Sequence, residues 1–169
     1  MTGITRCKAA KTIAKLVEGK IEHLSDTYDT YKIFTQDDRC WKVVREASIR
    51  CERKNGLNAV PSTYSVELVS PILTYESDIN LLQEIVRALR KAGAFANKTC
   101  GILIHLDGKD HTAKTLRNFV NIIYSRNDLF YKALQIERSR VRYCKALDEK
   151  LVHKVNLKKP KTLEDVTAI

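Results

Sequence analysis

The sequence predicts an α+β fold, a mainly antiparallel sheet with helices packed on one of its faces. Three observations carry that prediction. Residues 28–35 and 41–49 alternate apolar and polar positions across the polar turn Gln36-Asp37-Asp38-Arg39, the pattern of a β-hairpin. Residues 64–71, Tyr-Ser-Val-Glu-Leu-Val-Ser-Pro, spell a third strand that a proline stops. Residues 77–93 carry Ile79, Leu82, Val86 and Leu89 at helical spacing.

In chain order, residues 5–19 come first as a helix, with Ala9, Ile13, Leu16 and Val17 on one stripe and Gly19 as its stop. The hairpin follows. Its second strand puts Trp41, Val43, Arg45, Ala47 and Ile49 on one side and Lys42, Val44, Glu46 and Ser48 on the other. Residues 50–62 hold Asn55-Gly56 and Pro61 and read as a loop into the third strand. In the 77–93 helix Ser77 is the expected cap, Asp78 suits the positive end, and Arg87, Arg90 and Lys91 suit the negative end. Residues 102–107, Ile-Leu-Ile-His-Leu-Asp, alternate again and are expected as a fourth strand. Further helices are expected over about 112–124, with Leu116, Phe119, Val120 and Ile123 inward, and over about 127–147. From Asp148 the pattern decays, so the organisation is one domain over 1–147 and a basic tail over 148–169.

Whole-chain totals exclude several classes. At 169 residues, 44% hydrophobic and 30% charged, the chain can bury a core. No run of about 18 apolar residues exists, so no membrane span is expected, and residues 1–19 lack the apolar stretch of a secretory signal. Cys7, Cys40, Cys51, Cys100 and Cys144 are scattered without a Cys-x-x-Cys pair. That points to reduced thiols and a cytoplasmic setting, with no zinc ribbon. The net charge of +10 permits an anionic partner: nucleic acid, nucleotide phosphates or an acidic polymer. A nucleic-acid-binding module is therefore the alternative function, opposed by the lack of a helix-turn-helix, zinc-finger or RNP-type pattern.

The sharper signal is polar. Period two sets Glu67 with Ser65 and Val69, opposite Tyr64, Val66 and Leu68. It sets His105 with Leu103 and Asp107, opposite Ile102, Ile104 and Leu106. A mid-strand carboxylate is normally paired, metal-bound or turned to water, and a solvated sheet face is the plain reading. Two strands of this kind suggest one polar site laid across a sheet. Asp107, beside Gly108, reads as a turn residue and Trp41 as core. Cys100 and Cys144 read as small buried residues.

Several segments, in this order, resemble the amidoligase family of glutamine synthetase-like carboxylate–amine ligases. They are Thr2-Gly3-Ile4-Thr5-Arg6 with Ala9-Ala10, Tyr28-Asp29-Thr30-Tyr31, and Trp41 through Ile49. Val66-Glu67-Leu68-Val69-Ser70-Pro71-Ile72-Leu73, Cys100 through Asp107, and Arg142-Tyr143-Cys144 complete the set. The resemblance implies a curved antiparallel sheet whose open face holds nucleotide and metal. It implies ATP-dependent joining of a carboxylate substrate to an amine substrate, small molecule or peptide, through an acyl phosphate.

Mg²⁺ and cationic side chains would neutralise the phosphate oxygens. Glu67 would then be a metal ligand, as its hard oxygens suit Mg²⁺, and His105 a metal or phosphate neighbour. Arg142, with Arg138 or Arg140 beside it, would clamp phosphate, and Arg6 would be a further anion contact. Glu46 and Ser48 would line the same face. Three departures stand out. The family's first strand, which bears two glutamates, has no counterpart before Thr2; Glu46 stands for an aspartate; and Leu103 stands for the first histidine of a Gly-x-His-x-His run. A truncated or degenerate relative is the corresponding expectation. An open sheet edge in place of the first strand would favour self-association.

Overall fold

A computed structural model describes residues 1–54, 56, 60–136 and 143–169. The chain divides into two units, Met1–Gly101 and Ile102–Ile169.

The first unit opens with α1 (Arg6–Val17), which starts where Thr5, in extended conformation, accepts a hydrogen bond from the Lys8 N–H. It ends at Glu18, which takes the left-handed conformation at φ 50°. Gly19 serves a different need from the expected stop. A Cβ there would lie 2.7 Å from Ile33 Cγ2 and 2.8 Å from the Phe34 carbonyl oxygen, so only glycine lets the chain turn back against the sheet.

Four antiparallel strands follow, β1 (Lys20–Leu24), β2 (Thr30–Phe34), β3 (Cys40–Val44) and β4 (Glu67–Val69), in spatial order β1-β2-β3-β4. The α+β class and the antiparallel hairpin of β2 and β3 are as the sequence predicts; β1 is an addition. Its residues are exposed or nearly so, which leaves no apolar alternation to read.

Two strands are shorter than their sequence patterns. β3 stops at Val44 because Arg45 N–H leaves the ladder for the Tyr28 carbonyl and Glu46 starts a turn that Ile49 N–H closes. Tyr64 lies in a short 3-10 helix, Ser62–Tyr64, and Ser65 N–H bonds the Ser62 carbonyl, so β4 begins only at Glu67.

One face of the sheet is covered. Ala9, Ala10, Ile13 and Ala14 of α1 meet Ile33, Trp41, Val43 and Val66. Ile85 and Leu89 of α2 (Tyr75–Lys91) complete this core. Each such Ile, Val or Leu contributes roughly 1.5–3 kcal/mol by leaving water. Trp41 Nε1 is the one buried side-chain polar atom among the described residues without a partner. α2 begins before the expected cap: Thr74 is the cap residue, and the Asp78 carboxylate reaches back to its N–H at 2.8 Å while holding Arg39 at 2.7 Å. Ser77 lies inside the helix.

In the second unit, residues 102–107 form no strand. They have no ladder partner among the described residues, and all six are exposed. Alternation describes a segment that fits a sheet, but the strand exists only once backbone groups pair. α3 (Ala113–Ser125) starts at a reciprocal Thr112–Thr115 cap, as predicted, though Phe119 faces outward. α4 (Asn127–Ala133) is far shorter than the predicted helix to 147. The basic segment carries α5 (Glu149–Lys158), with Val152 and Val155 buried, and α6 (Leu163–Thr167). α3 and α5 pack together, joined by a reciprocal Asn121–Asn156 amide pair at 2.9 and 2.7 Å. No helix among the described residues is long and apolar enough to cross a membrane.

Candidate functional site

The uncovered face of the sheet is where chemistry-bearing groups meet. Register sets two rows of side chains across it: Glu22, Lys32, Lys42 and Val69, and beside them Val44 opposite Glu67. These rows floor an open cleft of about 350 Å³ whose charged lining is Asp26, Lys32, Lys42, Arg45, Glu46 and Glu67.

Glu67 opens β4 and is half-buried, yet its carboxylate has no hydrogen-bond or ion-pair partner among the described residues. A half-buried acid without a partner is unusual in a folded chain. Glu46 lies past the end of β3 rather than on it. Ser65, itself buried, fixes it there: its hydroxyl accepts from Glu46 N–H at 3.0 Å and donates to the Glu46 carbonyl. That clasp brings Glu46 to the mouth of the cleft that Glu67 lines. Ser48 then donates its backbone N–H to Glu46 Oε1 at 2.8 Å. Hydrogen bonds from the Ser48 side chain and backbone hold the Glu46 carboxyl below its ordinary range, so Glu46 stays charged at neutral pH. The Asp26 carboxylate is turned into the loop, accepting from the N–H groups of Tyr28 and Thr30.

Arg6 is 3% exposed, and its guanidinium is taken up by the chain. Nε and Nη2 reach Asp29 Oδ2 at 2.9 and 2.6 Å, and Nη1 reaches the Ser62 and Ser65 carbonyls at 2.7 and 2.8 Å. Asp29 also meets His23 Nε2 at 2.6 Å, and the His23 ring stacks on Tyr31 at 4.1 Å. Arg6 thus ties α1 to the β1–β2 turn and to the segment that leads into β4.

Its neighbours in the Thr2–Arg6 segment are as fully used. Thr2 clasps the Glu52 backbone in both directions at 3.1 and 2.9 Å. Gly3, at φ +91°, sits where a Cβ would lie 2.5 Å from the Gly93 carbonyl oxygen. Ile4 is core and Thr5 is the helix cap.

The remaining sequence candidates lie elsewhere. His105 is exposed, on the irregular segment of the second unit, so the strand expected to carry it to the sheet is absent. Asp107 accepts from Lys109 N–H in a turn. Arg138, Arg140 and Arg142 fall outside the described residues. Among the described residues no group of three or more His, Cys, Asp or Glu is arranged to hold a metal ion by itself.

Sequence reasoning passed over Lys32, Lys42 and Arg45. The turn centred on Asp37 was the available signal, since it places Lys32 opposite Lys42.

No curated protein and no solved structure matches the chain. The family described as putative amidoligase enzyme matches residues 1–169, the whole sequence. The Thr2–Arg6 segment, the Asp29 turn and the open sheet face that this family likeness rests on are one connected construction, and the chain belongs to the amidoligase family.

Proposed function

We propose that the cleft on the open sheet face is where an ATP-dependent ligase joins a carboxylate to an amine. The observation that carries this reading is Glu67, a half-buried acid with no partner among the described residues, lining the same cleft as a second acid and three cations. The lining fits a magnesium–nucleotide complex in kind. Mg²⁺ takes hard oxygen ligands, usually one or two protein carboxylates with the rest from phosphate and water, so a complete protein cage is not required. Glu67 and Glu46 would supply those carboxylates.

Bound ATP would supply the phosphoryl group that turns the substrate carboxylate into an acyl phosphate. The amine nitrogen then bonds to the acyl carbon, inorganic phosphate leaves, and the amine gives up a proton. Glu46, kept charged by Ser48, is suited to holding a cation rather than taking that proton. Glu67 is the group in the cleft free to accept it or to bind the metal. Arg6 and Ser65 act as positioning residues: the first anchors the 62–65 segment before β4, and the second sets Glu46.

The test is thermal. Mg²⁺–ATP at a hundred times its Kd should stabilise the wild type by about 2.7 kcal/mol through mass action. Glu67→Ala should abolish the shift. Equal shifts in the two proteins would overturn the assignment.

A further inference from the structure

We infer that Lys32 and Lys42 form a seat for a polyphosphate chain on the open sheet face. The two lysines are direct partners in the β2–β3 ladder. Thr35 N–H donates to the Arg39 carbonyl at the hairpin end, so hydrogen-bonded pairs fall at every second position from there. The Lys32–Lys42 pair is then of the non-hydrogen-bonded kind, whose Cα atoms stand about 4.5 Å apart and whose side chains lie closest.

Like charges at such a pair destabilise a sheet unless something lies between or above them. Neither lysine is in an ion pair among the described residues. Glu22 stands opposite Lys32 on β1 and Glu67 is a diagonal neighbour of Lys42, yet neither acid closes a salt bridge to them. Both lysines line the cleft, and Arg45 adds a third cation at its rim.

An unneutralised pair of ammonium groups over a strand floor is a place for an anion with charge spread along its length. Ammonium groups bind phosphate as point charges, whereas a carboxylate is better matched by a guanidinium fork. A linear phosphate chain can meet both lysines at once. Its terminal group would be directed along the second row toward Val44 and Glu67. This inference rests on the cleft being the working face, but its chemistry does not need magnesium.

The experiment is calorimetric titration with sodium tripolyphosphate, free of divalent cations, against the full chain. Wild type should bind. Lys32→Met and Lys42→Met should each bind about tenfold more weakly, the loss of one charge-assisted contact. The same two variants should melt no lower than wild type without ligand, because each removes a like-charge pair. Lys154→Met with Lys158→Met, on α5, should leave affinity unchanged, which separates a seat from general attraction to a basic chain.

Unchanged affinity in both β-strand variants would overturn the inference, as would equal loss in the α5 variant. Binding of succinate in preference to tripolyphosphate would overturn the polyphosphate assignment. If tripolyphosphate binds through both lysines while Mg²⁺–ATP stabilises wild type and Glu67→Ala alike, the seat stands and the ligase reading fails.

Discussion

Asp29→Asn tests the connection on which the cleft depends. The substitution keeps the side chain's shape and removes the charge facing Arg6, which is 3% exposed. Breaking a fully buried pair by removing one partner costs about 3–5 kcal/mol. Two features lower that figure. The Asp29 side chain is 34% exposed, and Arg6 keeps its bonds to the Ser62 and Ser65 carbonyls. A loss of about 2 kcal/mol remains, or a fall in Tm of about 4–8 °C for a chain of this size.

Burial raises the Asp29 carboxyl, but hydrogen bonds from His23 and Arg6 and the Arg6 charge outweigh it, so the group titrates below its ordinary 3.8. A depressed carboxyl stabilises the fold at every pH above its unfolded value, and that contribution is lost as pH falls through the folded value. Wild type and Asp29→Asn should therefore differ by a constant amount at neutral and mildly acid pH. They should converge as pH falls through 3.8 and below. Urea denaturation followed by far-ultraviolet circular dichroism across this range reads the difference directly. Asp37→Asn, at an exposed pair with Arg39, is the control. A pH-independent gap, or an Asp29→Asn loss no larger than that of Asp37→Asn, would refute the reasoning.

Gly3→Ala places a methyl 2.5 Å from the Gly93 carbonyl oxygen at a left-handed position. Strain there of roughly 1–3 kcal/mol is expected from the backbone alone, read as a lower Tm and less protein recovered folded. Ser65→Ala removes both bonds that hold Glu46, costing about 1–2 kcal/mol, and should weaken Mg²⁺–ATP stabilisation although Ser65 touches no ligand in the proposed reading. In the second unit, Asn121→Ala and Asn156→Ala should each destabilise, and the double variant should lose less than their sum. A coupling of about 0.5 kcal/mol or more in that cycle is the expected result; strict additivity would show that the amide pair contributes nothing.

Strong local patterns were legible in the sequence. Ala9, Ile13 and the stripe of α2 named their buried faces, and Trp41 and Val43 named theirs, because burial on one side of a regular element writes a period into the chain. Glu67 was legible for the same reason: it breaks that period on a strand whose other face is core. Arg6 illustrates the limit. A lone arginine after a helix cap looks like an anion contact until the fold brings Asp29, Ser62 and Ser65 to it from 23 to 59 positions away. His105 illustrates the opposite failure, since alternation over residues 102–107 promised a strand that no neighbouring backbone completes.

From the amino-acid order alone came the α+β class, the hairpin, the main helices, the family and an acid set apart on a strand. Those follow from interactions within a few residues, which spacing and side-chain chemistry encode directly. Which groups share the cleft was decided by tertiary structure. Ladder register set Lys32 against Lys42, and the Ser65 hydroxyl pulled Glu46 to the rim beside Glu67. Pairing across strands depends on where backbone hydrogen bonds close in three dimensions, and no single segment contains that information.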